Sequence, residues 1–285
     1  MVQLHLPPFD DHYGFRTDEP PGRHPMLEAA LRRWAPTGCL LEVTLSSPVP
    51  PGSSLGTSAS VVVALIAALQ AVDGGCPDAS GLAQAAHEIE TVDLGRQSGV
   101  QDQIAAAFGG ANLVSIDAYP RFEVRPLEIS PATWTELSRR VITVYLGARH
   151  DSSVIHNSVI DRLGGAGAGT QKLMEPLRAA AQGAATALSV GDIETYGQAM
   201  VANTEAQVAL HPGLVSPAAR QVIELAEKHG ALGWKVNGAG GHGGTVTVLG
   251  AEDPGQLQQA LAGVNALTVL PLQPTKDGVR VVDRG

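Results

Sequence analysis

The fold of this chain is decided by one stretch, Pro51-Gly52-Ser53-Ser54-Leu55-Gly56-Thr57-Ser58-Ala59-Ser60. Before it, Leu40 to Leu45 has the pattern of a strand, and after it the nearly continuous apolar run from Ser60 to Val72 is long enough for a buried helix. Glycines let a backbone approach a phosphate closely, and the first N–H groups of a helix are unsatisfied donors that favour an anion. This order predicts a phosphate-binding loop, with an ordinary Gly/Ser loop closed by a serine cap as the alternative.

Two hydroxyls of this loop, those of Thr57 and Ser58, suit a phosphate oxygen or Mg²⁺. The pattern GxxxxGK[ST] occurs nowhere in the chain, and no lysine directly follows the loop. A nucleotide site of the Walker type is therefore excluded.

The composition limits the partners and the compartment. The chain has 285 residues, 44% of them hydrophobic, and a formal net charge of −9, which disfavours nucleic acid or an anionic membrane as a partner. The sequence has no apolar run of about 18 residues that would predict a membrane span. Two cysteines, Cys39 and Cys76, form no CxxC pair and fit a reducing compartment. The sequence therefore predicts a cytoplasmic protein with one large domain or two smaller ones.

Carboxylates follow the loop on two predicted helices. Asp78 can cap a helix that runs through Leu94 and carries Glu88 and Glu90, and Asp102 lies at the start of a third helix. An enzyme that transfers a phosphoryl group needs one acid to help bind Mg²⁺ and another near the acceptor hydroxyl. Helical periodicity places Glu88 and Glu90 on opposite flanks of the apolar stripe, so it does not choose between them.

The second half of the chain predicts an α+β unit. The segment Val141 to Leu146 has the pattern of a buried strand, Gly164 to Gly169 that of a flexible loop, and Lys235 to Gly244 is a glycine-rich loop that precedes another apolar strand. Ala-rich helical patterns lie between these segments, and we place the domain boundary between residues 135 and 136. The predicted helices are Lys172 to Ala187, Asp192 to Ala209 and Pro217 to His229.

These motifs carry a family resemblance. PGSSLGTSAS resembles the second signature, PxxxGLGSSA, of the superfamily of galactokinase, homoserine kinase, mevalonate kinase and phosphomevalonate kinase (GHMP kinases), with departures at Ser54 and Thr57. Glu90 followed by Gly99-x-x-Asp102-Gln103 is similar to the pattern of a Mg²⁺-binding glutamate and a catalytic aspartate. The C-terminal glycine loop resembles the third signature, K-x-(S/T)-G-A-G-x-G-G, with His242 at a usual glycine position.

The resemblance implies a two-domain α+β fold with the active site in the cleft between the domains, and ATP with Mg²⁺ as cofactors. It implies domains 1–135 and 136–285, the first without its usual N-terminal signature. The implied site residues are Asp102 as the catalytic residue; Gly52, Ser53, Ser54, Leu55, Gly56, Thr57, Ser58, Ala59, Gly240 and Gly241 for the nucleotide; Ser58 and Glu90 for the metal; and Arg149, Gly238 and Ala239 for the substrate.

The sequences of three segments indicate a narrower class of substrate. Gln101 to Asn112, Gly147 to Ser153 and His211 to Pro217 look most like bacterial D-glycero-D-manno-heptose 7-phosphate kinases and related sugar kinases. The resemblance implies transfer of the γ-phosphoryl group of ATP to the anomeric hydroxyl of a heptose or octose phosphate, and it allows a homodimer. Kinases of fucose, galactose, mevalonate or homoserine remain alternatives, as does a catalytically silent nucleotide-binding relative.

Members of the superfamily usually begin with a strand and a short GGxxD-like signature that bears a Lys or Arg, which this sequence lacks. We therefore expect that a functional version carries about 60 more residues before Met1. The alternative is a natural short form in which Arg16, Arg23 or Arg32 supplies the charge.

Overall fold

The computed structural model describes residues 1–76, 78–147, 159, 168–238, 240–241 and 243–282. The chain forms two compact units. The first comprises Met1–Pro50, Gly56–Gly110 and Thr275–Gly285, and the second comprises Pro51–Leu55 and Ala111–Pro274. Helices and strands occur in both units, so the α+β class is confirmed, while the boundary after residue 135 stays a prediction.

The first unit contains a three-stranded sheet of order β2-β1-β3. Strand β1 (Val2–Leu6) pairs antiparallel with β2 (Asp11–Phe15) and parallel with β3 (Leu41–Thr44). Alternate residues Val2, Leu4 and Leu6 are buried, which is the two-residue period of a strand with one face on a core. The strand predicted around residues 40–45 is confirmed as β3.

Four helices complete the core of the first unit, and their apolar faces explain why they form. Helix α2 buries Val62, Val63, Leu65 and Ile66, as its nearly continuous apolar sequence predicts. The helices are α1 (Pro25–Trp34), α2 (Thr57–Val72), α3 (Ala79–Glu88) and α4 (Gln101–Phe108).

Helix α3 begins as the sequence predicts and ends differently. The Asp78 carboxylate accepts a hydrogen bond from the Gly81 N–H at 2.9 Å, which caps the helix. The regular helix predicted to reach Leu94 ends at Glu88, and the chain continues in a π-helical turn over Ile89–Asp93. Such turns rotate the following side chains relative to a regular helix, so the angular position of Glu90 could not be calculated from the sequence.

Residues 275–282 return to the first unit and bind the end of α4. The Gly110 N–H donates to the carbonyl of Thr275 at 3.1 Å, and the Val279 N–H donates to the carbonyl of Ala106 at 3.0 Å. These bonds satisfy carbonyl and N–H groups at the C-terminal end of a short helix, where the helix itself supplies no partners.

The second unit is built on a four-stranded antiparallel sheet of order β7-β8-β6-β9. One face of the sheet packs against helices, with Ile142, Val144, Val246 and Val248 in the core. The strands predicted at 141–146 and 245–249 are confirmed. The elements are β4 (Asn112–Ala118), β5 (Arg121–Pro126), α5 (Pro131–Arg140), β6 (Val141–Tyr145), α6 (Ala168–Val190), α7 (Ile193–Leu210), α8 (Pro217–Lys228), β7 (Gly233–Val236), β8 (Thr245–Leu249), α9 (Gly255–Ala262) and β9 (Thr268–Leu270).

The three helices predicted in this half are confirmed as α6, α7 and α8, and two of them have serine or aspartate caps. Asp192 accepts from the Thr195 N–H and Ser216 accepts from the Ala219 N–H, which are the bonds expected of helix N-caps. Most of the predicted Gly164 to Gly169 loop lies outside the described residues, and α6 begins at Ala168.

Candidate active site

Helix α2 begins at the predicted phosphate loop without a side-chain cap. Its N-cap is Gly56, which has a left-handed φ of +65° and makes no side-chain cap bond. A Cβ at Gly56 would lie 3.0 Å from the Cβ of Asp102, so glycine is needed both for the backbone conformation and for the approach of α4. The serine-capped loop that the sequence allowed is therefore not formed. Thr57 and Ser58 begin the first turn, where backbone N–H groups have no partner within the helix.

The structure separates the two glutamates that periodicity could not distinguish. Glu88 accepts hydrogen bonds from Arg33 at 2.7 Å and from Gln84 at 3.0 Å, which makes it part of a surface ion pair. Glu90, on the π-helical turn, instead accepts a hydrogen bond from Gln103 Nε2 of α4 at 2.8 Å. The contacts thus bring Glu90, and not Glu88, to the helix that carries Asp102.

Asp102 lies in the first turn of α4, as predicted, and its side chain remains accessible to solvent. Surrounding protein removes part of the hydration of its carboxyl group, and this desolvation, together with the negative charge of Glu90, raises its pKa above the usual aspartate value. Two neighbouring carboxylates with one raised pKa are typical of functional sites. The pair suits a divalent cation, whose charge would offset their repulsion.

Gln103, which closes the motif Gly99-x-x-Asp102-Gln103 without a role assigned to it from the sequence, also belongs to this cluster. Its side chain is 1% exposed, Nε2 donates to Glu90, and its Oε1 has no hydrogen-bond partner. A buried amide of this kind holds the carboxylate in one orientation. The sequence points to the adjacent Asp102 because carboxylates carry the expected chemistry, whereas the contact between Gln103 and Glu90 depends on how two helices pack.

We expect Gln103→Met to weaken the binding of Mg·ATP by about tenfold, because the Glu90 carboxylate loses the donor that orients it. Titration calorimetry with Mg·ATP measures the effect. Gln84→Met is the matched control, since Gln84 donates to Glu88 in the same way on the surface. Equal effects of the two substitutions would contradict the role of Gln103.

The C-terminal glycine loop lies against residues Pro51–Leu55, within the second unit. Gly238 and Gly244 both approach Ser54, and Gly241 forms a bridge with Val215. Ser54, at a position where the GHMP signature has glycine, adopts a left-handed φ of +57°, which explains why glycine is the ordinary residue there. The predicted nucleotide residues Gly52, Ser53, Leu55, Ala59 and Gly240 are all described, but their roles stay predictions.

Lys235 opens this loop and is a buried cation. Its Nζ donates to the carbonyl of Val236 at 2.9 Å, and burial lowers its pKa to about 8. The residue as a whole is half-buried.

Lys235 gives a prediction for the pH dependence of stability. Its pKa in the folded protein, about 8, lies below the ordinary value of 10.5, so the unfolded chain binds more protons between these two pH values. Relative to Lys235→Met, the wild type should therefore gain stability as the pH rises from about 8 to 10.5 and lose it as the pH falls through 8. Urea unfolding at intervals across this range measures the difference, and parallel curves would contradict the burial of the charge.

The three arginines considered as substitutes for the missing signature already have partners. Arg16 pairs with Asp18 at 2.7 Å and Arg23 pairs with Asp11 at 2.7 Å. Arg32 donates to the carbonyl of Glu19 at 2.6 Å. These contacts use part of the five N–H donors that each guanidinium carries. The proposed substrate residues Arg149 and Ala239, together with His242 of the glycine loop, lie outside the described residues.

Two findings in the described residues concern the predicted metal site and the predicted location. These residues contain no group of three or more His, Cys, Asp or Glu residues that could hold a metal ion. Within the same residues, no helix is long and apolar enough to cross a bilayer. The cytoplasmic location and the homodimer stay predictions.

Comparison with known proteins supports the resemblance across both units. D-glycero-alpha-D-manno-heptose 7-phosphate kinase of Campylobacter jejuni is 30% identical over 200 residues, which are 69% of this chain and 58% of that protein. Mevalonate kinase of Archaeoglobus fulgidus is 27% identical over 270 residues, 91% of this chain and 80% of that protein. This chain thus spans somewhat more than half of the heptose kinase and most of the mevalonate kinase.

Solved structures show the same fold. The crystal structure of a D-glycero-D-manno-heptose 1-phosphate kinase from Bacteriodes thetaiotaomicron has a TM-score of 0.74 and 21% identity, covering 99% of this chain and 84% of that one. Two segments of the chain match known family domains. Residues 25–110 match the family described as GHMP kinases N terminal domain, and residues 184–267 match GHMP kinases C terminal. These two matches cover more than half of the sequence in the expected order, so the chain belongs to the GHMP kinase family.

Proposed function

We propose that the protein is an ATP-dependent sugar-phosphate kinase that phosphorylates the anomeric hydroxyl of a heptose phosphate or a similar sugar phosphate. In this reaction the hydroxyl oxygen forms a bond to the γ-phosphorus of ATP, the bond from that phosphorus to the β,γ-bridging oxygen breaks, and ADP leaves. With heptose 7-phosphate the product is a 1,7-bisphosphate. The 30% identity to the Campylobacter heptose 7-phosphate kinase supports this substrate class.

The observation that carries the proposal is the position of Asp102 beside the start of α2, with Glu90 as its neighbouring carboxylate. Asp102 lies against Gly56, the N-cap of α2, and Glu90 is close enough to raise the Asp102 pKa. A helix N-terminus attracts phosphate, and adjacent carboxylates suit a cation bound to that phosphate. Phosphoryl transfer depends on positioning and on charge stabilisation more than on covalent chemistry by the protein.

The residues fit Mg²⁺ that is held together with a nucleotide. Magnesium usually takes one or two protein carboxylates and completes its shell with phosphate oxygens and water, and Glu90 and the exposed Ser58 hydroxyl offer oxygen ligands in the first unit. When bound, the cation would neutralise charge on the transferring phosphoryl group. Gln103 would keep the Glu90 carboxylate in the orientation in which it offers an oxygen ligand to the cation.

Asp102 would accept the hydrogen bond of the acceptor hydroxyl and take its proton as the new oxygen–phosphorus bond forms. Its raised pKa makes it a stronger base than an ordinary aspartate. The N–H groups at the start of α2 would bind the phosphates without a lysine.

Mevalonate is the second candidate acceptor, because the Archaeoglobus mevalonate kinase matches 91% of this chain. The deciding experiment measures ADP release with Mg·ATP and a panel of heptose 7-phosphate, an octose phosphate, fucose, mevalonate and homoserine, with the mass of the product as confirmation. We expect the highest kcat/KM with heptose phosphate. A higher value for mevalonate would overturn the substrate class, and tight ATP binding without turnover of any acceptor would favour a silent relative.

A further inference from the structure

A buried hydrogen bond joins the C-terminal glycine loop to the phosphate loop. The Thr245 hydroxyl, on the first residue of β8, donates to the carbonyl of Ser53 at 2.9 Å. Both residues are 1% exposed, and they belong to the same compact unit. A carbonyl in such a place needs a donor from the protein, and the Thr245 hydroxyl supplies one.

Asn237, which lies where the GHMP signature has serine or threonine, leaves the Thr245 proton available for this bond. Asn237 Nδ2 donates to the hydroxyl oxygens of Thr245 and Thr247, each at 2.9 Å, and the Thr247 hydroxyl can return a bond to Asn237 Oδ1 at 3.3 Å. Because the Thr245 oxygen accepts from Asn237, its proton is available for Ser53. With the amide reversed, Thr245 would donate to Asn237 and withdraw its proton from the Ser53 carbonyl, so the contacts favour the orientation described.

The side chain of Ser54, the next residue of the phosphate loop, is held by packing contacts. A Cβ built on Gly244 would lie 2.7 Å from Ser54 Oγ, and one built on Gly238 would lie 3.1 Å from Ser54 Cβ. The Ser54 Oγ is buried and has no hydrogen-bond partner. Ser53 and Ser54 thus contact the C-terminal glycine loop and the start of β8 in two independent ways, by a hydrogen bond and by packing.

We propose that Thr245 is a positioning residue for nucleotide binding, which holds the phosphate loop in its binding conformation through the Ser53 carbonyl. The inference rests on the proposed function in that the loop binds the phosphates of ATP. A loop that is already ordered loses less entropy when it binds a ligand, so the relay from Asn237 through Thr245 to Ser53 increases ATP affinity without touching ATP. Two glycine-rich segments far apart in the sequence would then act as one site.

The proposal predicts the effects of three substitutions. Thr245→Val keeps the branched shape but removes the donor, and it should raise the Kd and KM for Mg·ATP about tenfold, the factor expected for about one lost hydrogen bond. The KM for the acceptor should stay within about twofold of wild type. Thr245→Ser, which retains the hydroxyl, should restore ATP affinity to within about threefold. Thr247→Val is the matched control, since Thr247 also bonds Asn237 but makes no bond to Ser53.

Two measurements test the proposal on the full chain. Titration calorimetry gives the Kd for Mg·ATP, and amide hydrogen exchange without nucleotide reports the opening of residues 52–58. We expect weaker binding and faster exchange for Thr245→Val but not for Thr247→Val. Wild-type affinity in Thr245→Val, or equal losses in both variants, would overturn the proposal.

The outcomes distinguish this inference from the proposed function. If the wild type binds no Mg·ATP, the proposed function fails, and unchanged exchange in Thr245→Val would show separately that the bond does not order the loop. The thermal midpoint of each variant is recorded first. Should Thr245→Val not fold, Thr245→Cys takes its place, because a thiol of similar size is a weak donor and should bind ATP less tightly than Thr245→Ser.

Discussion

Replacement of Asp102 by asparagine is expected to lower kcat by about a hundredfold or more while leaving the Kd for Mg·ATP within about threefold of wild type. The substitution removes a charge and a proton acceptor near the nucleophile but changes little volume. Steady-state kinetics and calorimetry measure the two quantities. Glu88→Gln is the control, because Glu88 bonds Arg33 and Gln84 on the surface. An equally active Asp102→Asn enzyme would exclude the catalytic role.

The same substitution should change how stability depends on pH. Since desolvation and Glu90 raise the pKa of Asp102 in the folded protein, the folded state binds the proton more tightly than the unfolded state does. The resulting stabilisation is complete below the ordinary aspartate pKa of about 4 and is lost as the pH rises through the folded value. The free energy of unfolding, measured from pH 3 to 7, should therefore decrease in the wild type relative to Asp102→Asn as the pH rises.

The second large effect is expected at Gly240, where the glycine loop passes Leu214. Gly240 has a φ of +60°, and a Cβ there would overlap the carbonyl oxygen of Leu214. Gly240→Ala should lower the free energy of unfolding by about 3 kcal/mol or more, from a strained backbone and a backbone clash combined. Gly241, the next residue, also donates its N–H to Leu214 at 3.0 Å, so the clash cannot be relieved without losing a hydrogen bond.

Gly230→Ala separates the two contributions. Gly230 has a similar φ of +67°, but nothing lies within 4 Å of the position that an added methyl group would take. Its alanine variant should therefore lose only about 1–2 kcal/mol, the value for a left-handed residue alone. Chemical denaturation of both variants measures the difference, and similar losses would show that the Leu214 contact adjusts freely.

The sequence predicted those elements whose patterns are local and long. The apolar run of α2, the Asp78 cap of α3 and the Ala-rich helices of the second unit all follow from periodicity and capping. Strands β1 and β2 were not predicted, although Val2, Leu4 and Leu6 alternate in β1, because β1 offers only three apolar residues and Asp11–Phe15 includes a glycine and a charge. Short strands depend on pairing with distant residues, as β1 does with Leu41–Thr44.

The residues of the candidate site also differ in whether the sequence predicts their roles. The motifs predict roles for Asp102, Glu90 and the glycine loops, whereas the contacts of Gln103 and Thr245 are with partners in other elements. One signal for Thr245 was available, since Thr245 and Thr247 alternate with Val246 and Val248 and so give β8 one polar face. The partner of that face, the Ser53 carbonyl 192 residues away in sequence, could be found only in the folded chain.

The return of residues 275–282 to α4 has a consequence for the order in which a newly made chain can fold. The ribosome completes the whole of the second unit, residues 51–55 and 111–274, before it makes the residues that bond Ala106 and Gly110. Domains generally fold as units during synthesis, so the second unit can reach its native state first. The helix that carries Asp102 obtains its bonds to residues 275–282 only afterwards, so the first unit is the later of the two to be completed.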